Sequence, residues 1–552
     1  MRAPVNNIRS ARRPMREKSI GGSGVYSSAS IQAPVGGWDA LHPLADMPQD
    51  RAIVLDNWFP EPGYLRVRRG SQVHASGLGS SSVETIMVYN GTTTNGNKLF
   101  AVAGGSIFDA TGAGAVSGAV VTGLTNSRWQ YVNFTTAGGH FLWCCNGVDN
   151  PEMFDGTTWS NPTITGVTAA SAINVNVHKN RIWLILAGSM DAAYLPTNSI
   201  QGAAAKFPLG SVMSKGGYLV AMGTWTHDGG NGPDDYAVFL SSRGQAAVYQ
   251  GSDPSTTSDW ALVGVYDLGA PLGYRCLTKV SGDLAVISID GVLPFSLARG
   301  VDRGAAATVA ITTNINNAMN TAARSYGSNF GWELCAYPKG TAAILNVPLS
   351  EGETQQQYVM NTLTGAWCRY TGMNANCWAV FNDDLYYGGN DGRVYVADTS
   401  GLDTDTPIDA IGQTAYNFYG SKGTLKQFKM LQPIITADSN SRPAIGISTD
   451  FKDNASLGTP TATRSAAALY DSAVYDVDVY PIESRTVADW TSVSGLGFAG
   501  SIHFRAQTGV TGTISIWDLS LWGEAPWSYP LGGEVVMRLN NFNVLYERGG
   551  VF

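Results

Sequence analysis

The sequence predicts an all-β protein: a β-propeller of six or seven blades, with an N-terminal extension and a C-terminal β-sandwich-like domain. A hairpin with a glycine turn recurs along the chain, and its clearest copies are Leu99–Asp109 and Leu385–Asp398. Only 14% of the residues are charged, whereas 65 of the 552 are glycine and 10% are aromatic, a composition that favours strands and tight turns. A long chain that repeats one sheet unit is typical of a propeller.

The spacing of the copies predicts where the blades lie. Successive strand openings are about 41 to 60 residues apart, and a four-stranded blade takes roughly 40 to 50, so the longer gaps contain loop insertions. Two tryptophans, Trp159 and Trp367, follow polar turns at blade edges and are predicted to fill the gap between neighbouring sheets. The predicted openings are Leu99, Phe141, Ile182, Tyr236, Leu284, Ile344 and Leu385.

Composition divides the chain into four parts. Residues 1–30 form a basic N-terminal arm, residues 31–81 a linking segment that packs on the propeller, residues 82–409 the β-propeller, and residues 410–552 a C-terminal β-sandwich-like domain and tail. Within these parts we expect a short helical turn beginning at Asp46 or Pro48. A longer helix is expected between Ala305 and Ala323, where apolar residues recur at helical spacing.

Charge and cysteine content limit the function classes. The net charge of −8 argues against an ordinary nucleic-acid-binding protein, although it allows nucleic acid to slide past the surface. The six cysteines form no CxxC motif, so buried free thiols made in a reducing cytoplasm are expected. We expect neither a signal peptide nor a membrane span, because no apolar run has the required length.

Motifs for catalysis and ligand binding are scarce. The sequence has no Walker A loop, no G-x-S-x-G and no H-E-x-x-H, and its six histidines are scattered, so we expect no catalytic residues, no cofactor and no metal. Gly495–Gly500 matches G-x-G-x-x-G, but the following residues read as a strand, which gives no phosphate cradle. Asp228–Asp235 has the oxygen ligands of a calcium loop, but a polar turn between strands is favoured.

An enzyme remains the sharpest alternative. Asp155–Trp159 is similar to the Asp-box of sialidase-like propellers, although its aspartate stands one residue late. An Asp-box is a turn rather than a catalytic site, so the favoured interpretation is that the chain is not an enzyme. A host-attachment or glycan-binding propeller is the competing class of binding protein.

The stretch from Ile31 to Gly70 carries a resemblance to a known family. Gly36-Gly37, then Asp56-Asn57-Trp58-Phe59, then Gly63–Gly70 with its three arginines resemble the opening of the tail nozzle, or tail tubular protein B, family of short-tailed (podovirus-type) bacteriophages. Gly423–Lys429 is similar to the segment that follows the propeller in phage tail proteins. Read without the resemblance, the arginines would simply be the solvated face of a strand.

The resemblance implies a structural virion protein. Six copies would surround an axial channel beneath a tail adaptor (the head-to-tail connector), with tail fibres or spikes nearby. Double-stranded DNA would pass through this channel non-specifically at ejection, and the channel would be gated before that. The protein would not insert stably into a membrane. The protein would be made in the bacterial host cytoplasm and reside in the phage tail. The candidate residues for the subunit or adaptor interface are Arg9, Arg12, Arg13, Trp38, Trp58, Arg66, Arg68 and Arg69.

Overall fold

The structure is a computed structural model that describes residues 26–228, 233–280, 282–437, 440–452, 455, 457, 460–463, 485–508 and 537–551. Most of the predicted basic arm, including Arg9, Arg12 and Arg13, lies outside these residues. Among the described helices, none is both long and apolar enough to cross a membrane.

Six strands precede the repeated sheets: β1 (Tyr26–Gln32), β2 (Gly37–Trp38), β3 (Arg51–Asp56), β4 (Trp58–Glu61), β5 (Tyr64–Val67) and β6 (Ser71–Ser76). The helical turn predicted at Asp46 or Pro48 is wrong. Isolated turn hydrogen bonds form there, from Asp46 N to Pro43 O at 3.0 Å and from Arg51 N to Pro48 O at 3.1 Å, and the chain then extends into β3. Pairing of β3 with a strand more than three hundred residues later outweighs the local preference for a turn.

Repeated antiparallel sheets follow, and we number them as blades 1 to 7. Blade 1 has β7 (Val83–Tyr89), β8 (Lys98–Ala103), β9 (Ser106–Asp109) and β11 (Ala119–Val121), with the short β10 (Gly114–Ala115) pairing with β6 instead; blade 2 has β12 (Gln130–Thr136), β13 (Gly139–Cys145), β14 (Glu152–Phe154) and β15 (Trp159–Ser160). Blade 3 has β17 (Ala172–His178), β18 (Arg181–Leu186), β19 (Asp191–Tyr194) and β21 (Ala205–Pro208), and between these blades and strands β16 (Ile164–Thr165) pairs with β20 (Gly202–Ala203); blade 4 has β22 (Leu219–Asp228), β23 (Pro233–Ser241), β24 (Gln245–Gln250) and β25 (Ala261–Asp267). Blade 5 has β26 (Leu277–Val280), β27 (Asp283–Ser288) and β28 (Gly291–Pro294); blade 6 has β29 (Glu333–Tyr337), β30 (Ala342–Ser350), β31 (Thr354–Asn361) and β32 (Trp367–Tyr370); blade 7 has β33 (Cys377–Phe381), β34 (Asp384–Gly388) and β35 (Val394–Ala397).

The first strands of these sheets line a common axis, and the ring closes through an early strand. Strand β6 pairs antiparallel with β35 and completes blade 7, with Ser71 opposite Ala397 and Ala75 opposite Val394. The described residues therefore form a closed β-propeller of seven blades, which confirms the predicted fold and decides between six and seven. Each predicted strand opening lies on the second strand of a blade: β8, β13, β18, β23, β27, β30 or β34.

Apolar side chains fill the spaces between neighbouring blades. Trp159 of blade 2 packs edge-on against Phe100 of blade 1 with ring centroids 4.9 Å apart, as predicted for a blade-edge tryptophan. Between blades 3 and 4, Trp183 stacks on Trp260 at 5.5 Å. Such aromatic contacts add stabilisation beyond the burial of their area.

The α-helices of the described residues lie in the connection between blades 5 and 6. They are α1 (Phe295–Ala298), α2 (Ala306–Val309) and α3 (Asn316–Tyr326), with 3-10 turns at Arg303–Ala305 and Thr313–Ile315; two further 3-10 turns lie at Thr94–Gly96 and Ala169–Ser171. The predicted helix is confirmed in α3, which buries Met319 and Ala322. It begins later than its apolar spacing suggested, because the chain first makes α2 and a tight turn.

The C-terminal part adds β36 (Leu402–Asp403), β37 (Thr406–Pro407), β38 (Asp409–Thr414), β39 (Thr424–Ala437), β40 (Asn440–Arg442), β41 (Ala444–Thr449), β42 (Thr461–Thr463), β43 (Arg485–Val487), β44 (Thr491–Gly497), β45 (Gly500–Gln507) and β46 (Met537–Val551). The strand predicted after Gly495–Gly500 is β45, so this glycine motif opens no helix.

Two sheets form the C-terminal sandwich. The bridging sheet continues from blade 6 in the order β29-β30-β31-β32-β3-β38-β45-β41. The terminal sheet has the order β4-β5-β46-β39-β43, with β1 on β46 and β44 on β39. Their facing sides meet at Phe504, whose ring lies 5.5 Å from Trp58 and 5.3 Å from Phe542. Strands of the linking segment thus contribute to both sheets and to blade 7.

Candidate functional site

The first candidate is the axial channel of the propeller. The inner strands of blades 1 to 6 surround a cavity of about 190 Å³, and a cleft of about 410 Å³ opens beside it between blades 3, 4 and 5. The two share Asn176, Leu277 and Thr278 in their linings. The axis is therefore a polar space that is filled in part by side chains.

An ion pair closes one end of this channel. Arg275, which immediately precedes blade 5, contacts Glu333 of blade 6 at 3.3 Å. The Arg275 guanidinium also donates to Thr85 Oγ1 at 2.7 Å, to Glu84 O at 3.0 Å and to Trp129 O at 3.2 Å. We name the Arg275–Glu333 pair the axial plug, since it links the entrances of blades 5, 6, 1 and 2.

The plug also reaches blade 7. Glu333 accepts a hydrogen bond from the Trp378 backbone N–H at 3.1 Å, so five neighbouring blades share this network. Burial raises the pKa of Glu333, although Arg275 opposes that shift. Tyr131, which faces the same cavity, has its pKa raised to about 12 by burial and by the nearby Glu333 carboxylate. These groups are held in a poorly hydrated environment, where an unpaired charge is costly.

A second layer covers the plug from the outside. Phe330 lies beneath two guanidinium groups, that of Arg128 at 4.4 Å and that of Arg275 at 5.1 Å from its ring centre. Arg128 also pairs with Glu84 and Glu351. The end of the channel is thus closed by alternating charges around one aromatic ring.

The opposite side of the channel carries His178 and Lys179. His178 is buried against Trp260, and burial, with a further contribution from Lys179, lowers its pKa to about 4. Lys179 pairs with Asp235 of the next blade at 3.2 Å. The imidazole is therefore neutral at neutral pH and serves as a packing group between blades 3 and 4.

The second candidate is the junction of propeller and sandwich, which is organised by Arg68. The guanidinium donates to Asn57 Oδ1 at 2.8 Å, to Thr371 O at 2.9 Å and to both oxygens of Asp403. Asn57 adopts a φ of 59°, in the left-handed region that asparagine tolerates. Its side chain binds Thr371 and the carbonyl oxygen of Asp409. One arginine therefore fastens three stretches that are distant in sequence.

A second arginine joins blade 6 to strand β3. Arg369 binds Asp56 through two hydrogen bonds, of 2.7 and 2.6 Å, at the point where β32 meets β3. The same guanidinium lies 5.7 Å from the ring centre of Trp38. Planar two-point pairing of this kind fixes orientation as well as distance.

The predicted interface residues lie mostly inside the chain. Trp38, Trp58 and Arg68 are buried, and Arg66 is half-buried in a pair with Glu61 at 3.4 Å. These four side chains serve contacts within the chain. Arg69 is exposed and remains a predicted interface residue. The arm residues Arg9, Arg12 and Arg13 lie outside the described part of the chain.

The later stretch of the family resemblance contains a buried lysine. Lys426 donates to the carbonyl oxygens of Ser421 at 2.6 Å, Thr424 at 2.8 Å and Phe498 at 2.9 Å. Burial lowers its pKa. The ammonium group therefore ties the start of β39 to the turn that follows β44, which lies beside it, and is not available as a surface charge.

Other residues that the sequence singled out have ordinary roles. Asp155 accepts hydrogen bonds from the backbone N–H groups of Thr157 and Thr158 at 2.8 and 2.7 Å, so the Asp-box-like stretch is a turn. Most of the possible calcium loop Asp228–Asp235 lies outside the described side chains. In the part of the chain described here, no group of three metal-ligating side chains comes together.

A cleft of about 510 Å³ lies beside the junction. Blade 7 contributes Asn390 and the stacked pair Tyr387–Tyr395, whose ring centres are 4.9 Å apart. The sandwich side contributes Asp403 and Asp409, which are paired with Arg68 and Arg505. Its volume lies in the range of small-ligand sites, but its lining is more polar than usual.

The plug residues were not selected from the sequence. The four charged residues of this network lie within two residues of the start of an inner strand: Glu84, Arg128, Arg275 and Glu333. In a chain with so few charges, charged residues recurring at this point of the repeat are a signal that could have been found.

Comparisons with known proteins return propellers of low similarity. No protein-family profile matches the chain, and no curated protein matches it. The propeller domain of Cps50 (Swd1) from Myceliophteria thermophila is 12% identical, with 58% of this chain and 97% of that chain covered and a TM-score of 0.35. Sqt1 from Saccharomyces cerevisiae is 11% identical, with 59% of this chain and 99% of that chain covered and a TM-score of 0.33. BBS1N, solved in complex with ARL6DN, is 9% identical, with 60% of this chain and 98% of that chain covered and a TM-score of 0.38. These values carry no argument about function.

Proposed function

We propose that this chain is a structural subunit of the tail of a short-tailed bacteriophage, related to the tail nozzle proteins. Six copies form a ring around a channel that conducts the genome at ejection and is closed before it. The ring docks on a tail adaptor, with fibres or spikes nearby. The subunit is not an enzyme and uses no cofactor. It is made in the host cytoplasm and resides in the virion.

The observation that carries this proposal is the shared role of the motif residues at the junction. Asp56 binds Arg369, Trp58 packs on Phe504, and Asn57 and Arg68 fasten the ends of blade 6 to Asp403. Residues that resemble the nozzle family thus connect the propeller to the sandwich. A tightly connected subunit of this kind suits the wall of a conduit.

The axial plug indicates that the DNA channel of the proposed ring is not the axis of an individual propeller. A DNA duplex, whose major groove alone is about 12 Å wide, does not fit an axis crossed by Arg275 and Glu333. Under this proposal the genome passes between copies rather than through a propeller. A net charge of −8 favours passage without adhesion, because like charges repel.

The test is the assembly state of the purified full-length chain. Light scattering gives the mass in solution, and electron microscopy gives the symmetry. We expect six copies around an open hole that is wide enough for duplex DNA. A monomer under all conditions, or a closed assembly without a hole, would contradict the proposal.

A glycan-binding role is the second candidate, and the interdomain cleft favours it. Tyr395 and several polar side chains line this cleft, and an aromatic ring among polar groups suits sugar recognition. A glycan array probed with the wild-type chain and with Tyr395→Ala separates the two functions. Binding that depends on Tyr395 would support attachment, whereas a six-membered ring without glycan binding would support the conduit.

A further inference from the structure

Four strands of the terminal sheet have one hydrogen-bonded neighbour among the described residues: β1, β4, β43 and β44. Strand β4 contains Pro60 and Glu61, and β43 has only three residues and begins with Arg485, so β1 and β44 are the edges that can pair further. Strand β1 pairs with β46 at one edge, and β44 pairs with β39 at the other. Both strands have seven residues, YSSASIQ in β1 and TSVSGLG in β44. Neither contains a charged residue or a proline, the usual features that prevent edge strands from pairing further.

The two edges lie at the same level of the sheet. Tyr26 stands opposite Glu547, Glu547 opposite Gln427, and Gln427 opposite Leu496, so one row crosses all four strands. The two ends of that row are the exposed side chains Tyr26 and Leu496, each 61% exposed. A second row lies two residues further along β1. It runs from Ser28 through Leu545 and Met430 to Ser492, so Ser28 and Ser492 stand at the two edges of the sheet at the same level.

Strand direction permits the sheet to continue. The order β1, β46, β39, β44 is antiparallel at every step, so β1 and β44 run in opposite directions. If a second copy is rotated about an axis that runs along the strands, its β1 lies antiparallel to β44 of the first copy. An even number of strands therefore lets identical sheets join edge to edge in the preferred pattern.

Several other outer strands among the described residues are less suited to pairing. Strand β21 carries Lys206 and Pro208, β15 has only two residues, and β6 is covered by β10. Strand β25 of blade 4 is the nearest competitor, since Leu262 and Val263 are exposed. It has no matching open edge on the far side of its own sheet, because β22 faces the axis.

We propose that copies of this chain join through the terminal sheet, with β1 of one copy pairing antiparallel with β44 of the next. Tyr26 then lies beside Leu496 of the neighbouring copy, an aromatic–aliphatic cross-strand contact. The contact uses two different edges, so it repeats head to tail and closes into a ring or grows as a filament. The occupant of each edge is thus a second copy, and the inference deepens the proposed ring, on which it rests.

Cysteine cross-linking of the full-length chain tests the contact. Residues facing each other across strands are close enough for a disulfide. A chain with both Ser28→Cys and Ser492→Cys, oxidised with copper–phenanthroline, is expected to give a ladder of cross-linked species on a non-reducing gel. Ser28→Cys alone should give none. Ser28→Cys with Val263→Cys is the matched control, because it places the second thiol on the competing strand β25, and it should give none.

The outcomes separate this inference from the proposed function. A six-membered ring that does not cross-link through Ser28→Cys and Ser492→Cys would overturn the contact and leave the ring standing. A cross-linked dimer from Ser28→Cys alone would overturn it as well, because it shows β1 pairing with itself. Cross-linked filaments of varying length would support the contact and contradict the six-membered ring.

A charge exchange provides an independent check. Leu496→Lys is expected to dissociate the assembly, because it places a charge where two edges meet. Adding Tyr26→Glu to the same chain should restore assembly, since opposite charges then face each other across the contact. Dissociation that persists in the double variant, or assembly that is unaffected by Leu496→Lys, would contradict the proposal.

Discussion

The propeller and the terminal sheet differ in how their sheets end: the ring of blades is closed, whereas the terminal sheet has open edge strands. The propeller closes on itself: β6 returns to pair with β35, and the axial plug ties five blade entrances together. The terminal sheet gathers strands from both ends of the described chain and still leaves β1 and β44 with one partner each. Under the proposed assembly, the closed propeller stabilises each copy and the open edges of the terminal sheet form the contacts between copies.

The largest expected effect comes from breaking the closed region at Arg275. Arg275→Met leaves the largely buried Glu333 carboxylate, which is 18% exposed, without its cation, and this should lower the free energy of unfolding by about 3–5 kcal/mol. Urea unfolding followed by tryptophan fluorescence measures the loss. Adding Glu333→Gln should recover at least half of it, because the uncompensated charge is then gone.

The matched control is Arg393→Met, which removes an exposed arginine paired with Asp391. Its cost should stay within about 1 kcal/mol, as is usual for surface pairs. Equal losses for Arg275→Met and Arg393→Met would show that the plug is not a special element of the ring.

An intermediate effect is expected from pH, through His178. Its pKa is about 4 in the folded chain, below the ordinary 6.5, so only the unfolded state takes up the proton between these values. The stability that His178 provides is complete above pH 6.5 and is lost as the pH falls towards 4, by roughly 3 kcal/mol. His178→Phe should remove that part of the slope, as measured by urea unfolding at several pH values.

His140→Gln serves as the comparison for this pH dependence, because His140 lies at a hairpin end and is only half-buried. It should retain the slope of the wild-type chain. If His178→Phe and His140→Gln gave the same pH profile, the burial of His178 would not be the cause.

The smallest effect on stability is expected at the open region. Ser494→Lys adds a charge to the exposed strand β44 and should change the free energy of unfolding by no more than about 0.5 kcal/mol. The same substitution should nevertheless reduce assembly as seen by light scattering. A large loss of stability would mean that this edge is part of the folded core rather than a contact surface.

Local signals explain what the sequence revealed. Glycine turns between apolar runs mark hairpins, so the second strand of every blade was found and Trp159 was correctly placed between blades. Contacts across long sequence separations were missed. Arg68 looked like a surface charge, but it is buried because Asp403, 335 positions later, lies opposite. Asp46 and Pro48 favoured a helical turn, but distant pairing extends the chain into β3.

The candidate sites depend on the same long-range contacts. Arg275, Thr85 and Trp129 meet only because the ring closes, and no local pattern brings them together. The open edges β1 and β44 are visible only once β46 and β39 are known to lie between them.

The most direct test of this account is an electron-microscopy map of the assembled full-length chain at a resolution that separates strands. The account predicts six copies around an open hole, with the terminal sheet running unbroken from β44 of one copy into β1 of the next. Copies that touch through their propeller blades, with both edges of the terminal sheet facing solvent, would contradict it.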